Sequence, residues 1–260
     1  MKIYPHILAA KLIFCIVLST GCATMYIPGT PSIPLLTEKH EVGAQIGTST
    51  NSIKASGAYA YSDKYAIMGA VSVSHGYLTS AYDLGDLLNP DNTYNGGSFK
   101  HWSSEMAIGK YNYFPNFIFE TYTGVVYGSS ETEYSRFQNS YGSFFLQANM
   151  GFKKDIFELG FGLRFSGSKF NYTYPNSADV KIEEQFPVVS VHSGGIIRVG
   201  GEKVKFWLSP GLNYSRAIIN KSADELRLGY QEGRKYQVFE SSQNNFYTIF
   251  HLGAGVHFSF

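Results

Sequence analysis

Few residues in this chain combine the type and the spacing that chemistry needs. Serine, histidine and acid fall close together once, where Ser74 and His75, then His101, Ser103 and Glu105, flank a long polar stretch. An esterase or acyltransferase needs a nucleophile within hydrogen-bond reach of a base that a third group orients. Neighbouring serines and histidines arise readily in a serine-rich chain, so this set is only the starting point of a lipid-modifying alternative. Val191-His192-Ser193-Gly194 puts its His and Ser on opposite faces of an extended segment. His251 and His257 lie six positions apart, about 20 Å along a strand, too far to share a metal ion. The pairs Gly96-Gly97, Gly194-Gly195 and Gly200-Gly201 precede no helix with a Lys-Ser/Thr, so they read as kinks and turns rather than a phosphate loop. No catalytic residue, metal site or cofactor is expected from these patterns.

Composition narrows the class. The 260 residues carry a net charge of +1, which supports neither a nucleic-acid nor a strongly acidic partner. Charged residues make up 16%, against about 25% in soluble domains. With 20 Tyr, 20 Phe and 27 Gly, that thin charge suits a protein whose outside faces lipid. The two cysteines, Cys15 and Cys22, both lie near the N-terminus.

The N-terminus runs MKIYPHILAAKLIFCIVLSTGC: basic residues, a short apolar run, then small residues ending in Cys22. That is the order of a secretory signal, and the run is too short for a spanning helix, which needs about 20 apolar residues. Ser19-Thr20-Gly21-Cys22 resembles a bacterial lipobox, with Ser19 standing where such signals most often have Leu. The resemblance implies removal of residues 1–21 and lipid attachment at Cys22. Cys22 would then be the mature chain's one cysteine, leaving no internal disulfide. Ala23 follows it rather than the Asp that retains some lipoproteins at the inner membrane. Pro28, Pro31 and Pro34 then forbid a helix and predict that residues 22–39 form an extended periplasmic tether.

From residue 40 to 260 the pattern alternates with period two. Phe157, Leu159, Phe161, Leu163 and Phe165 interleave with Glu158, Gly160, Gly162, Arg164 and Ser166. A helix would spread those apolar residues all round, and its two internal glycines would cost about 1 kcal/mol each. The spacing predicts ten strands, near 40–49, 53–61, 65–75, 100–113, 117–128, 141–152, 155–167, 186–199, 203–216 and 246–260, with 8 or 12 as the alternative counts. Apart from a short first hairpin at Thr50–Ser52, short turns at 62–64, 114–116, 153–154 and 200–202 alternate with long connections at 76–99, 129–140, 168–185 and 217–245. Short turns on one side and long loops on the other are the asymmetry of outer-membrane barrels.

The last strand ends on Phe260, and a terminal amphipathic strand closing in an aromatic residue resembles the recognition signal of outer-membrane barrel proteins. Over the mature chain the sequence resembles small bacterial outer-membrane barrels of the porin-like and OmpA-transmembrane-like groups. That resemblance implies an all-β, closed, antiparallel up-and-down transmembrane barrel in the bacterial outer membrane. It also implies lipids and the barrel assembly machinery as partners. The function expected is a structural or narrow-pore role without catalysis. The alternatives are a lipid-modifying enzyme of the deacylase or acyltransferase class, or partner binding through an extracellular ligand site on loops 76–99 and 217–245.

With apolar stripes outward, alternation turns Glu105, Glu120, Glu158, Arg164, His192, Arg198, Lys205, His251 and His257 inward. Lys110 breaks the rule, sharing a face with Met106 and Ile108. Glu158, Arg198 and Lys205 fall near adjacent turns, so a polar cluster of these three in the lumen is expected, joined by Glu120 from across the barrel. A salt bridge filling a narrow bore and a charge constriction selecting ions are the two readings of such a cluster.

Overall fold

A computed structural model of the chain describes residues 30–49, 52–77, 98–115, 117–132, 137–154, 156–175, 181–218 and 246–260. The segments 1–21 and 22–29, Cys22 included, and most of loops 76–99 and 217–245 lie outside the described residues. Ten strands form: β1 Val42–Ser49, β2 Ser52–Ala60, β3 Tyr65–Tyr77, β4 Ser98–Phe114, β5 Phe117–Thr132, β6 Phe137–Lys153, β7 Phe157–Pro175, β8 Lys181–Gly200, β9 Val204–Ala217 and β10 Phe246–Ser259. Each pairs antiparallel with its neighbours in sequence, and β1 pairs with β10, so the sheet closes into an up-and-down barrel. At the seam, Val42 and Phe260 exchange both backbone hydrogen bonds at 3.0 Å.

Followed once around the barrel from Gly43, the register returns to the β1 line about twelve residues further on. Over ten strands that stagger sets a tilt of about 40° and a radius of about 10 Å. Once side chains line such a wall, the bore admits about one extended chain.

Alternation decides which residues face out. Phe157, Leu159, Phe161 and Phe165 are exposed, while Glu158, Gly160, Gly162 and Arg164 between them are buried. Met106 and Phe206 are exposed by 73% and 71%. Outward charges on the described strands keep to the ends: Lys110 at the short-turn end, and Lys100, Glu131, Lys169, Glu183 and Arg216 at the other. Between Lys110 and Lys100 the outer face of β4 is uncharged, a band about 25 Å tall at that tilt. Aromatic pairs mark both margins: Tyr61–Tyr65 and Phe117–Phe152 on the short-turn side, Trp102–Tyr127 opposite.

Two expectations are corrected. The long connections 129–140 and 168–185 shrink to 133–136 and 176–180, because β5, β6, β7 and β8 run on past the uncharged band. Ser168 and Phe170 stay inward and Lys169 and Asn171 outward, so the alternation persists without an outward apolar stripe to reveal it. The second correction concerns the described part of the tether expected over 22–39, residues 30–39. Pro31 to Leu36 are not outside the barrel but buried inside it. The conformation is non-helical, as the prolines require; the location is the lumen.

Ala44 of β1 lies opposite Phe258 of β10, within disulfide reach of a paired strand position. Cysteines placed at these two positions are expected to form a disulfide under mild oxidation, read as a shift in gel mobility. Cysteines at 44 and 208 are expected not to. Failure of the 44–258 pair to cross-link would mean an open sheet.

Candidate functional site

The lumen is organised around residues 30–37. A chain inside a closed barrel has no strand ladder of its own, so each backbone N–H and C=O must find a side chain. Pro31 and Pro34 remove two donors from that demand. The carbonyls left over face a wall of donors. Lys54 Nζ donates to the Thr30 carbonyl at 2.5 Å. Gln147 Nε2 donates to the Ser32 carbonyl at 2.6 Å, and Asn149 Nδ2 donates to the same oxygen at 3.4 Å. Arg198 donates to the carbonyls of Ile33 and Pro34. Going the other way, the Leu36 N–H donates to Glu120 Oε1 at 2.8 Å. Leu35 takes a φ of 60°, a left-handed conformation costing a branched side chain about 1–3 kcal/mol. At the mouth, Thr37 donates through both N–H and hydroxyl to Glu41, and Glu41 pairs with Lys153.

The apolar side chains of the segment fit where the wall has none. A Cβ at Gly160 would lie 2.9 Å from Ile33 Cγ2, and one at Gly151 would lie 2.7 Å from Leu35 Cδ2. At Gly162 the added atom would meet Asn149 Oδ1 at 2.9 Å and Ile33 Cγ1 at 3.1 Å. Leu36 joins a buried cluster with Ala60, Ala66, Met68, Tyr111 and Phe145, and Ile33 and Leu35 pack with Ile118 and Ile196. The segment is a stopper with a shaped seat.

The structure brings Glu158, Arg198 and Lys205 together. Arg198 Nη1 lies 2.7 Å from Glu158 Oε2, and Lys205 Nζ lies 3.1 Å from Glu158 Oε1. Glu120 makes no ion pair with the three, accepting instead from Asn149 Nδ2 at 2.9 Å and from the Leu36 N–H of the stopper that Arg198 also holds. A second cluster was not foreseen as a unit. Arg164 pairs with Glu105 at 2.8 Å, donates to Gln147 Oε1 at 2.7 Å and stacks 4.0 Å above the Phe145 ring. Lys54 adds a 3.6 Å contact to Glu105, whose carboxylate also accepts from Ser32 Oγ at 3.3 Å. Sequence reasoning missed Lys54, Glu41, Lys153, Gln147 and Asn149 as site residues. Parity was the available signal for Lys54, which sits between outward Ile53 and Ala55.

Of the candidate acylation set, the side chain of His75 lies outside the described residues, and among the described ones no set assembles on the outer face. His101 points inward, with Nε2 3.1 Å from the Tyr141 hydroxyl and the two rings stacked, and Glu105 is committed to Arg164. His192 is buried while Ser193 lies on the opposite face. Two Ser–His pairs form among the described residues: His257 Nε2 lies 3.0 Å from Ser259 Oγ near the short-turn end, and Ser166 Oγ lies 3.3 Å from Nε2 of His192. Its Nδ1 has no partner to orient the ring. The adjoining cavity, lined by Lys54, Glu105, Arg164, Ser166 and His192, holds about 20 Å³, room for about one water molecule. Lys110 faces outward at the short-turn end, where its stem can lie along apolar surface and its ammonium reach water.

Removing one member of a buried ion pair costs about 3–5 kcal/mol. Arg198→Met, which also frees two stopper carbonyls, is expected to lose at least that much in denaturant titration, with Glu158→Gln in the same chain restoring part. Gly162→Leu is expected to unseat the stopper without touching a charge, exposing Leu35-Leu36 to chymotrypsin-type cleavage that the parent resists. No protein-family model matches this chain and no curated protein is detectably similar to it, so the lumen and the outer face are what its function is read from.

Proposed function

We propose that this chain is an outer-membrane β-barrel lipoprotein with a structural role in the bacterial envelope, its bore stopped by its own residues 31–36. The observation that carries this reading is the outer face. Large apolar side chains such as Met106, Val125, Leu146, Phe165 and Phe206 stand exposed around the barrel, in a band free of charge and edged by aromatic residues. Monomers in water rarely expose a contiguous apolar patch beyond a few hundred Å². A closed barrel is one of the two backbone arrangements that leave no unpaired amide in lipid. The last strand, carrying Phe258 and Phe260 at the seam, suits uptake by a barrel assembly machinery.

Of the two readings of the lumen charges, the filled bore is favoured over the ion constriction. Arg198, Glu120 and Lys54 bind the stopper's backbone, and Ile33, Leu35 and Leu36 are buried at 1% exposure or less. A conducting path at this level would need the segment to leave. Catalysis is not part of the proposal, since the Ser166–His192 pair lacks an orienting acid and has no room for a substrate. Partner binding through the loops concerns residues outside those described.

Planar bilayers test the reading directly. The parent protein is expected to insert and stay electrically silent, and Gly162→Leu to conduct. A conducting parent would remove the stopped bore, and a stable monomer in water without detergent would remove the membrane. Leu146→Arg on the outer face is expected to cost about 2–4 kcal/mol more than Leu146→Ala in lipid vesicles, by equilibrium unfolding.

A further inference from the structure

The charges in the lumen do not balance at every level. In the lower lumen two cations, Arg198 and Lys205, stand with two buried carboxylates, Glu158 and Glu120. At the mouth Lys153 pairs with Glu41. Higher up, Lys54 and Arg164 share one carboxylate, that of Glu105. Two positive charges against one negative leave an excess of one. The three side chains are withdrawn from water, with exposures of 11%, 5% and 8% respectively. A charge buried without a partner is costly, and among the described residues no other acid pairs with Lys54 or Arg164.

The geometry leaves both room and donors for a missing partner. Lys54 gives one of its three N–H donors to the Thr30 carbonyl, and its 3.6 Å approach to Glu105 is too long for a hydrogen bond. Arg164 commits three of its five donors, one to Gln147 and two to Glu105. Both side chains line the cavity of about 20 Å³ beside Ser166 and His192. Ser72 and Ser103 add hydroxyls to the same wall, and the buried His192 Nδ1 has no partner.

We propose that this cavity binds one halide ion such as chloride, held by Lys54 and Arg164 as the counter-charge that Glu105 alone does not supply. Size selects the class. About 20 Å³ takes one water-sized particle, so a monatomic anion fits where sulfate or phosphate does not. A water molecule would fill the space and leave the charge. The cradle draws on β2, β4 and β7 and exists only in the closed barrel, so ion binding is linked to folding. Only lumen residues take part, and nothing in the site depends on what lies against the outer face.

The test is equilibrium unfolding in detergent micelles, with chloride exchanged for gluconate at constant ionic strength so that screening is unchanged. One occupied site is expected to raise the folding equilibrium constant about tenfold for each tenfold rise in chloride. No dependence on chloride would overturn the site. Ser72 lies directly opposite Lys54 on the neighbouring strand, so Ser72→Asp supplies a built-in counter-charge. That variant is expected to lose the chloride dependence, as is Lys54→Met, which removes the excess charge. Parent-like dependence in either variant would count against the proposal. Crystals of the parent grown from bromide are expected to show an anomalous peak between Lys54 and Arg164, and a cavity without one would overturn the site whatever the variants do. A barrel that proved soluble without detergent would remove the membrane reading and leave this one standing.

Discussion

A guanidinium or carboxylate turned into a narrow barrel has left water and must be met by something of opposite character. Here much of that demand is met by backbone rather than side chains. Arg198, Lys54, Gln147 and Asn149 donate into carbonyls of residues 30–34, and Glu120 accepts from the amide of Leu36. Hydrogen bonds to charged groups contribute about 1.5–3 kcal/mol each, and leaving such a group unpaired costs more. The segment and the wall are thus mutually necessary. Without the wall the carbonyls would need water, and without the segment Glu120 and Arg198 would each lose partners, Glu120 the Leu36 amide and Arg198 the carbonyls of Ile33 and Pro34.

Size follows from the same constraint. A ten-stranded barrel with this stagger is wider than side chains alone fill comfortably and too narrow for a water-filled channel. Small wall residues at Gly151, Gly160 and Gly162 accept Ile33 and Leu35, while Tyr111, Tyr122 and Phe145, on β4 to β6, cluster with Leu36. Position in the lumen, not local strand preference, explains those glycines.

Much of the outer architecture could be read from residue types, because its cause is local. Phe157 to Phe165 alternate with Gly and charge, and a strand in a two-sided environment has one solution to that pattern. Glu158, Arg198 and Lys205 follow from parity plus their distance from two turns. What lay beyond reach has a physical reason in each case. Past the uncharged band the outward positions of β7 and β8 turn polar and Phe170 faces inward, so the outward apolar stripe stops and Lys169 and Asn171 look like loop. Pro31 and Pro34 report an extended backbone, but an extended chain in solvent and one inside a barrel need the same local dihedrals. Lys54, Glu120, Gln147, Asn149 and Arg198, spread over four strands, distinguish the two, and their convergence is a property of the closed sheet.

The seam between Val42 and Phe260 has a consequence for assembly. The segment that fills the lumen and the strand that closes it are joined by a turn at residues 38–40, so they travel as one piece. β10 is made last and meets the strand made first, and by then the prolines beside β1 must already lie on the concave side of the curling sheet. A barrel zipped shut with that piece outside would have no route to correct itself short of reopening the seam. The order of events, contents before closure, is written into the connectivity.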